Sequence, residues 1–247
     1  MEYKPLSARE RKLIEEIETR DLVVFTPFEA SRILDVDVDT AYRALSRLVR
    51  KRAVVRIERG KYIIRRFYSE LDIYEIAPHA VEPSYISLMS GLHFYGLTTQ
   101  VPRVVFLMVT RARKPMELQG SELRYVKVRK DLFFGYTKVG RSVVAEPEKL
   151  FLDCLAFPHY AGGFSEIEEA ARSAEMDAVK IVDHAIQMDS GTICSRLGYL
   201  LERTGRKFDE ARLLGHISKS RVLLDPSASR TSSATSRKWN ILINLEE

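Results

Sequence analysis

Arg43, Arg47 and Arg50 stand four and three residues apart, with Thr40 and Ser46 interleaved and Lys51 just beyond. At about 100° per residue, Arg43, Ser46, Arg47 and Arg50 project from one side of a helix. A guanidinium is planar, always charged, and forks onto guanine edges or phosphate oxygens. The chemistry this pattern can do is recognition of nucleic acid rather than bond-making. Ala41, Leu45, Leu48 and Arg52 fall on the opposite side, flanked by Ala44 and Val49. That stripe can pack while the other faces outward. Asp39 is read as the N-cap, its carboxylate accepting the free amides of the first turn.

A basic helix alone is usually an ordinary solvated face, so its neighbours decide. Residues 8–20 carry Leu13, Ile14 and Ile17 at helical spacing. Thr26-Pro27-Phe28-Glu29 has the form of a capping box with proline at the first helical position, which predicts a short helix to about Leu34. Asp35-Val36-Asp37-Val38 is the turn. Val54 to Ile57 and Tyr62 to Ile64 read as strands joined at Arg59-Gly60. Helix, helix, turn, helix and hairpin predict a winged helix-turn-helix over residues 1–68. Thr40, Arg43, Ser46, Arg47, Arg50 and Lys51 are then expected on the recognition helix. Arg59, Lys61, Arg65 and Arg66 are expected on or near the wing, against backbone phosphates.

Charge agrees with this placement. Residues 1–68 hold 16 Lys/Arg against 11 Asp/Glu, whereas 69–247 hold 23 of each. The formal +5 of the chain therefore belongs to its first quarter, which favours a nucleic-acid partner.

The chain is too long for that element alone. The expected class is α+β, with a mixed α/β domain over 69–247 whose C-terminal part is helical. Residues 67–83 read as a connector punctuated by Pro78 and Pro83. Ser84 is read as the cap of a helix to about Tyr95, closed by Gly96. Val104 to Val109 is a central strand, and Glu122 to Val128, Phe133 to Val139 and Val143-Val144 are further strands. Helices are expected over 147–157, 165–174, 177–188, 190–204 and 209–217. Late strands are expected at Val222 to Leu224 and Trp239 to Ile243, with a mobile Ser/Thr-rich loop, Ser227 to Ser236, between them.

A second basic stretch lies at 103–141, with ten Lys/Arg against Glu117, Glu122 and Asp131. Arg111, Arg113, Lys114, Lys127 and Arg129 are its candidate contacts. They read either as an auxiliary surface for nucleic acid or an acidic partner, or as charged protection of strand edges.

Three segments carry a family resemblance. Ser84-Tyr-Ile-Ser-Leu-Met-Ser-Gly-Leu-His-Phe-Tyr-Gly-Leu-Thr, Glu146-Pro-Glu-Lys-Leu-Phe-Leu-Asp-Cys-Leu155, and Leu224-Asp225-Pro226 with Trp239 to Asn244 occur in that order after the N-terminal pattern. The ordered set resembles AbiEi-type antitoxins, transcriptional regulators of viral defence systems. Gly91 departs from the alanine-like residue expected there. The resemblance implies a repressor that binds inverted repeats in its own promoter and antagonises a cognate nucleotidyltransferase-like toxin. A stand-alone regulator with a ligand- or partner-sensing second domain is the alternative, and a nucleic-acid-processing enzyme the third.

Catalytic patterns are weak. His79 and Glu82 sit in a proline-flanked stretch, and Asp153 and Cys154 lie in an apolar helix. His93, His159, His184 and His216 show no metal-ligand spacing, and no phosphate loop or nucleophile elbow occurs. The expectation is a non-enzyme without cofactor or metal. Cys154 and Cys194 are expected as buried free thiols in a reducing cytoplasm, a disulfide staying open. No apolar run suits a membrane span, no leader pattern precedes the first helix, and the high charge content suggests a thermophile.

Overall fold

The computed structural model describes residues 5–228, 231 and 234–245. Its chain divides into two units. The first runs to Pro83 and includes Glu117–Ser121 and Gly140–Ser142; the second holds the remainder.

In the first unit, α1 (Ala8–Thr19), α2 (Pro27–Leu34) and α3 (Val38–Arg50) precede an antiparallel hairpin of β1 (Val54–Glu58) and β2 (Lys61–Ile64). Both α1 and α2 begin with complete capping boxes. Ser7 pairs with Glu10, and Thr26 with Glu29 ahead of Pro27. Leu13 and Ile17 from α1, Ala30 from α2, and Ala41, Leu45 and Leu48 from α3 are fully buried. Each large apolar side chain buried here contributes about 1.5–3 kcal/mol. Phe25 joins the hairpin by exchanging backbone hydrogen bonds with Tyr62 at 2.8 and 2.9 Å.

The stretch 67–83 is not the connector its prolines suggested. It holds most of α4 (Arg65–Glu70) and all of α5 (Ile73–Ala80), the latter opened by an Asp72–Glu75 capping box. Pro78 sits inside α5, and Ile76, Ala77 and Ala80 are buried. Apolar burial therefore overrides the punctuation, and the first stretch of this unit runs on to Pro83. Within it, the Gln119 amide donates to the carbonyls of Tyr68 (2.5 Å) and Leu71 (3.2 Å). Arg141 pairs with Asp21 at 2.7 Å.

The second unit carries a helical group and most of a six-stranded sheet. The strands are β3 (Ser84–Ile86), β4 (Val104–Val109), β5 (Met116–Leu118), β6 (Ser121–Lys127), β7 (Tyr136–Val139) and β8 (Ser142–Ala145), in the order β5-β6-β4-β3-β8-β7. β4 runs antiparallel to β3 and parallel to β6. The helices are α6 (Leu88–Phe94), α7 (Pro147–Ala156), α8 (Phe164–Ser173), α9 (Ala178–Gln187), α10 (Gly191–Arg203) and α11 (Glu210–Leu214). A small sheet of β9 (Val222–Leu223), β10 (Ala234–Ser236) and β11 (Ile241–Ile243) completes it.

Ser84 is a strand residue, not a helix cap. Ser84, Tyr85 and Ile86 pair with Val109, Met108 and Leu107, and all three are buried. The expected strand from Phe133 shortens to Tyr136–Val139 after a 3₁₀ turn at Lys130–Leu132. The expected Ser/Thr-rich loop falls partly on Ser229, Arg230, Ser232 and Ser233, outside the described residues. Its end, Ala234–Ser236, is the strand β10.

A polar network crosses the core of this unit. Lys149 and Asp153, one turn apart on α7, form an ion pair at 0 and 1 % exposure. Asp153 also accepts from the Tyr85 hydroxyl at 3.1 Å and the Ser87 hydroxyl at 2.9 Å. Ser87 and Tyr85 flank the β3–α6 junction, so the network joins that junction to α7. Elsewhere, Asp225 and Asn244 exchange two backbone-to-side-chain bonds at 3.0 and 2.6 Å, and Asp225 caps the amide of Phe164 at 2.6 Å.

Two glycines report close packing. A β-carbon on Gly91 would meet Leu150 at 2.5 Å, which accounts for glycine where alanine was expected. One on Gly198 would stand 2.1 Å from the ring of Trp239, a fully buried side chain whose indole donates to Glu202 at 2.7 Å. Gly198→Ala is expected to lower unfolding free energy by about 1–3 kcal/mol, read from denaturant midpoints, because the ring has no room to retreat. Both cysteines are free and buried. Burial pushes the Cys154 thiol well above its usual range and the Cys194 thiol up to about 11. Neither should react with a thiol reagent at pH 8 until the protein is unfolded.

Candidate nucleic-acid interface

The exposed face of α3 starts two residues earlier than its sequence suggested. Asp37, not Asp39, is the N-cap. It accepts from the Thr40 amide at 2.8 Å and the Thr40 hydroxyl at 2.6 Å. Those Thr40 hydrogen bonds, the hydroxyl's foremost, hold the Asp37 carboxyl below its ordinary value. The expected contact Thr40 is therefore committed to the helix terminus and only half-exposed.

Past the cap, Asp39, Tyr42, Arg43, Ser46, Arg47 and Arg50 are all exposed, as is Val38 at the helix start. Ala41, Ala44, Leu45 and Leu48 form the buried stripe. Arg52, expected on the packed side, lies beyond the helix end at φ +60° and is exposed. Among the described residues, Arg43 makes no ion pair. Arg50 reaches only the Ser46 carbonyl, at 3.4 Å, and Ser46 donates to the carbonyl of Tyr42 at 2.8 Å. These groups are available to a partner.

Lys51 is not among them. Its ammonium donates to Glu10 at 2.7 Å and to the Pro5 carbonyl at 2.9 Å. Glu10 lies in α1 and is only 2 % exposed. Arg47 leans toward the same carboxylate at 3.7 Å but stays half-exposed. Burial pushes the Glu10 carboxyl up. The Lys51 ammonium and the Ser7 amide and hydroxyl outweigh it, holding it below its ordinary value.

The hairpin keeps one of its expected contacts at the tip. Arg59 is exposed beside Gly60, which adopts φ +75°, and among the described residues it makes no ion pair. Lys61 instead donates to the carbonyl of Ala80. Arg65 and Arg66 are not on the hairpin. The chain turns into α4 at Arg65, whose guanidinium lies 6.0 Å from the Tyr68 ring. Arg66 pairs with Glu18 at 3.1 Å. Exposed residues that the sequence reading did not single out are Tyr42, Arg56 and Phe28. The Tyr42 hydroxyl approaches Gly60 at the hairpin turn, 3.8 Å from where a β-carbon would stand. Arg56 is exposed on β1, and Phe28 is exposed at the start of α2. An aromatic beside Arg43, one helical step from the charged stripe, was the readable signal for Tyr42.

A fold seen elsewhere carries this arrangement. The crystal structure of the RV2827C protein from Mycobacterium tuberculosis superimposes with a TM-score of 0.54, at 14% identity, over 96% of this chain and 92% of that one. At that identity the likeness establishes shared fold alone. No family model matches the chain, and no curated protein does.

The second basic group lies in the other unit. β4 and β6 are parallel and in register at Val109 and Lys127, so the segments leaving them emerge at the same end of the sheet. Arg111, Arg113 and Lys114 follow β4, while Lys127, Arg129 and Lys130 end or follow β6, all exposed. Arg129 pairs with Asp131 at 2.9 Å. Non-adjacent basic segments are thus brought together by parallel pairing. Among the described residues no three of His, Cys, Asp and Glu cluster to hold a metal ion, and no helix is long and apolar enough to cross a membrane.

Lys51→Ala should act on stability rather than on binding. Hydrogen bonds to a charged group contribute about 1.5–3 kcal/mol, and Glu10 would lose its main partner. Because the Glu10 carboxyl is depressed in the folded protein, its stabilisation is present above its unfolded value of 4.5 and is lost as pH falls through the depressed one. The variant should therefore be less stable at neutral pH and show a shallower acid limb, measured by thermal melts from pH 7 to 3.

Proposed function

We propose that residues 5–64 form a winged helix-turn-helix and that the chain is a DNA-binding repressor acting as the antitoxin of an AbiEi-type toxin–antitoxin module. The observation that carries the first half is the outward stripe of α3. Arg43 and Arg50 stand exposed and without an ion pair, one face away from a buried Ala41–Leu45–Leu48 seam. An α-helix fits the major groove, and arginine at its centre can reach guanine edges. Arg59, at the hairpin tip, is placed to meet a phosphate beside that groove.

The three segments that resemble the antitoxin family support the second half in a different way. Tyr85 and Ser87 belong to the first of them, and Lys149 and Asp153 to the second; they close one buried network. Asp225 and Asn244 belong to the third and bond to each other. Residues that mark the family are those that hold this unit together, as expected when a shared fold is what the resemblance reports. The toxin-facing surface would then be made by exposed residues outside these segments. The basic end of β4 and β6 is one such surface, suited to an acidic partner or to a nucleic-acid backbone.

DNA recognition is tested on the protein's own upstream sequence at fixed salt. Arg43→Ala with Arg50→Ala should weaken specific binding at least tenfold, since each specific base contact is worth about 1–3 kcal/mol. Arg66→Ala should leave it near wild type, because that side chain is already paired. Arg59→Ala should weaken specific and random DNA alike and lower the log–log salt slope by about one unit. Unchanged affinity in the Arg43/Arg50 double variant would remove α3 from the interface. The antitoxin half is tested first by whether a nucleotidyltransferase-like reading frame lies beside the gene, and then by co-expression with it, scoring growth.

A further inference from the structure

The exposed stripe of α3 is not purely basic. Asp39, Arg43, Ser46 and Arg50 fall within about 60° of arc, the centre of the outward face. Tyr42 and Arg47 flank them on either side. Asp39 therefore stands in the middle of the surface proposed to enter DNA, one turn before Arg43. Its carboxylate is exposed and, among the described residues, makes no hydrogen bond or ion pair. It is not needed as a cap, because Asp37 already satisfies the Thr40 amide. Nor is it folded back onto Arg43, four residues on, where a helical ion pair is geometrically available.

An unpaired carboxylate facing a polyanion is repelled by every phosphate around it. Its place in the first turn of α3 stabilises the helix whether or not DNA is present, but against DNA the carboxylate is offset only where it meets a donor. The major groove offers amino donors on cytosine and adenine. On adenine the amino group sits beside N7, an acceptor whose lone pair opposes a carboxylate. On cytosine the neighbour of the amino group is a C–H edge, which does not. The first residues of a recognition helix are also those that reach base edges. We infer that Asp39 is a specificity-determining residue that accepts a hydrogen bond from the exocyclic amine of a cytosine and excludes other bases from that position. The inference rests on the DNA-binding reading of α3 and adds to it the base read by the acid.

Selection from a pool of randomised duplexes with the full-length protein tests this, comparing wild type, Asp39→Asn and Asp39→Ala. Circular dichroism would establish that each variant is folded. Wild type should enrich a motif containing one C·G pair that Asp39→Ala leaves unselected, with a preference there reduced about tenfold or more. Asp39→Asn, which gains a donor, should move that position toward adenine. Asp39→Ala should also bind random DNA more tightly than wild type, because a like charge has been removed from the surface. If wild type enriches a motif and both variants enrich the same one, Asp39 reads no base and the inference fails, while the DNA-binding reading stands. If wild type enriches nothing, the reading beneath it fails as well.

Discussion

The second unit is organised around a buried charge. Lys149 and Asp153 have almost no solvent, and each would be very costly there without the other. The ion pair is completed by the Tyr85 and Ser87 hydroxyls. Burial and the adjacent Asp153 push the Tyr85 phenol well above its ordinary range, so it stays protonated and donates. Breaking one partner of such a pair typically costs about 3–5 kcal/mol, because the other remains charged and desolvated. The consequence is positional. α7 must lie with Lys149 and Asp153 against the β3–α6 junction, and its remaining residues from Glu148 to Leu155 are then buried among the helices and sheet. Tyr85 carries the constraint outward by stacking on Tyr136 of the edge strand β7, at 4.9 Å and 12°.

A smaller version of the same logic sorts the charges of the first unit. Glu10 is buried in α1 and collects Lys51, with Arg47 at longer range. Glu18 takes Arg66, Asp21 takes Arg141, and the carbonyl of Ala80 takes Lys61. The acids and carbonyls of the neighbouring elements thus absorb part of the basic excess. What remains outward includes the α3 face and the hairpin tip, together with Arg9, Arg11 and Lys12 on α1 and Arg32 on α2. Formal charge counts the cations of this unit, and pairing decides which of them are left without an acid. A cation already paired at an exposed site gives up only about 0–1 kcal/mol when it exchanges that partner for another, whereas a pair to a buried acid such as Glu10 is held more firmly.

The sequence alone determined the element types and order from α1 to β2, because the signals there are local. The helical spacing of Leu13, Ile14 and Ile17, the capping box at Thr26 with Pro27, and the β-branched runs either side of Gly60 act within a few residues. The buried and exposed sides of α3 were equally legible, since a 3.6-residue period needs no tertiary partner to be read. The central strand β4 and the helices α7 to α10 followed from apolar run length and spacing.

Tertiary structure decided what depends on partners distant in the chain. Asp37 displaced Asp39 as the cap of α3, because two acids spaced two residues apart compete for the same amides and only the backbone path selects between them. Ser84 became a strand residue through pairing with Val109, a neighbour 25 residues away that no local pattern reveals. The prolines of 67–83 suggested a connector until the buried side of α5 overrode them. Lys51, Lys61 and Arg66 read as unpaired cations in the sequence, and the fold sets Glu10, the Ala80 carbonyl and Glu18 beside them. A sequence records the charge each residue brings. Whether that charge is already satisfied is a property of folded neighbours, and this is why the basic side chains were readable as a class but their pairing was not.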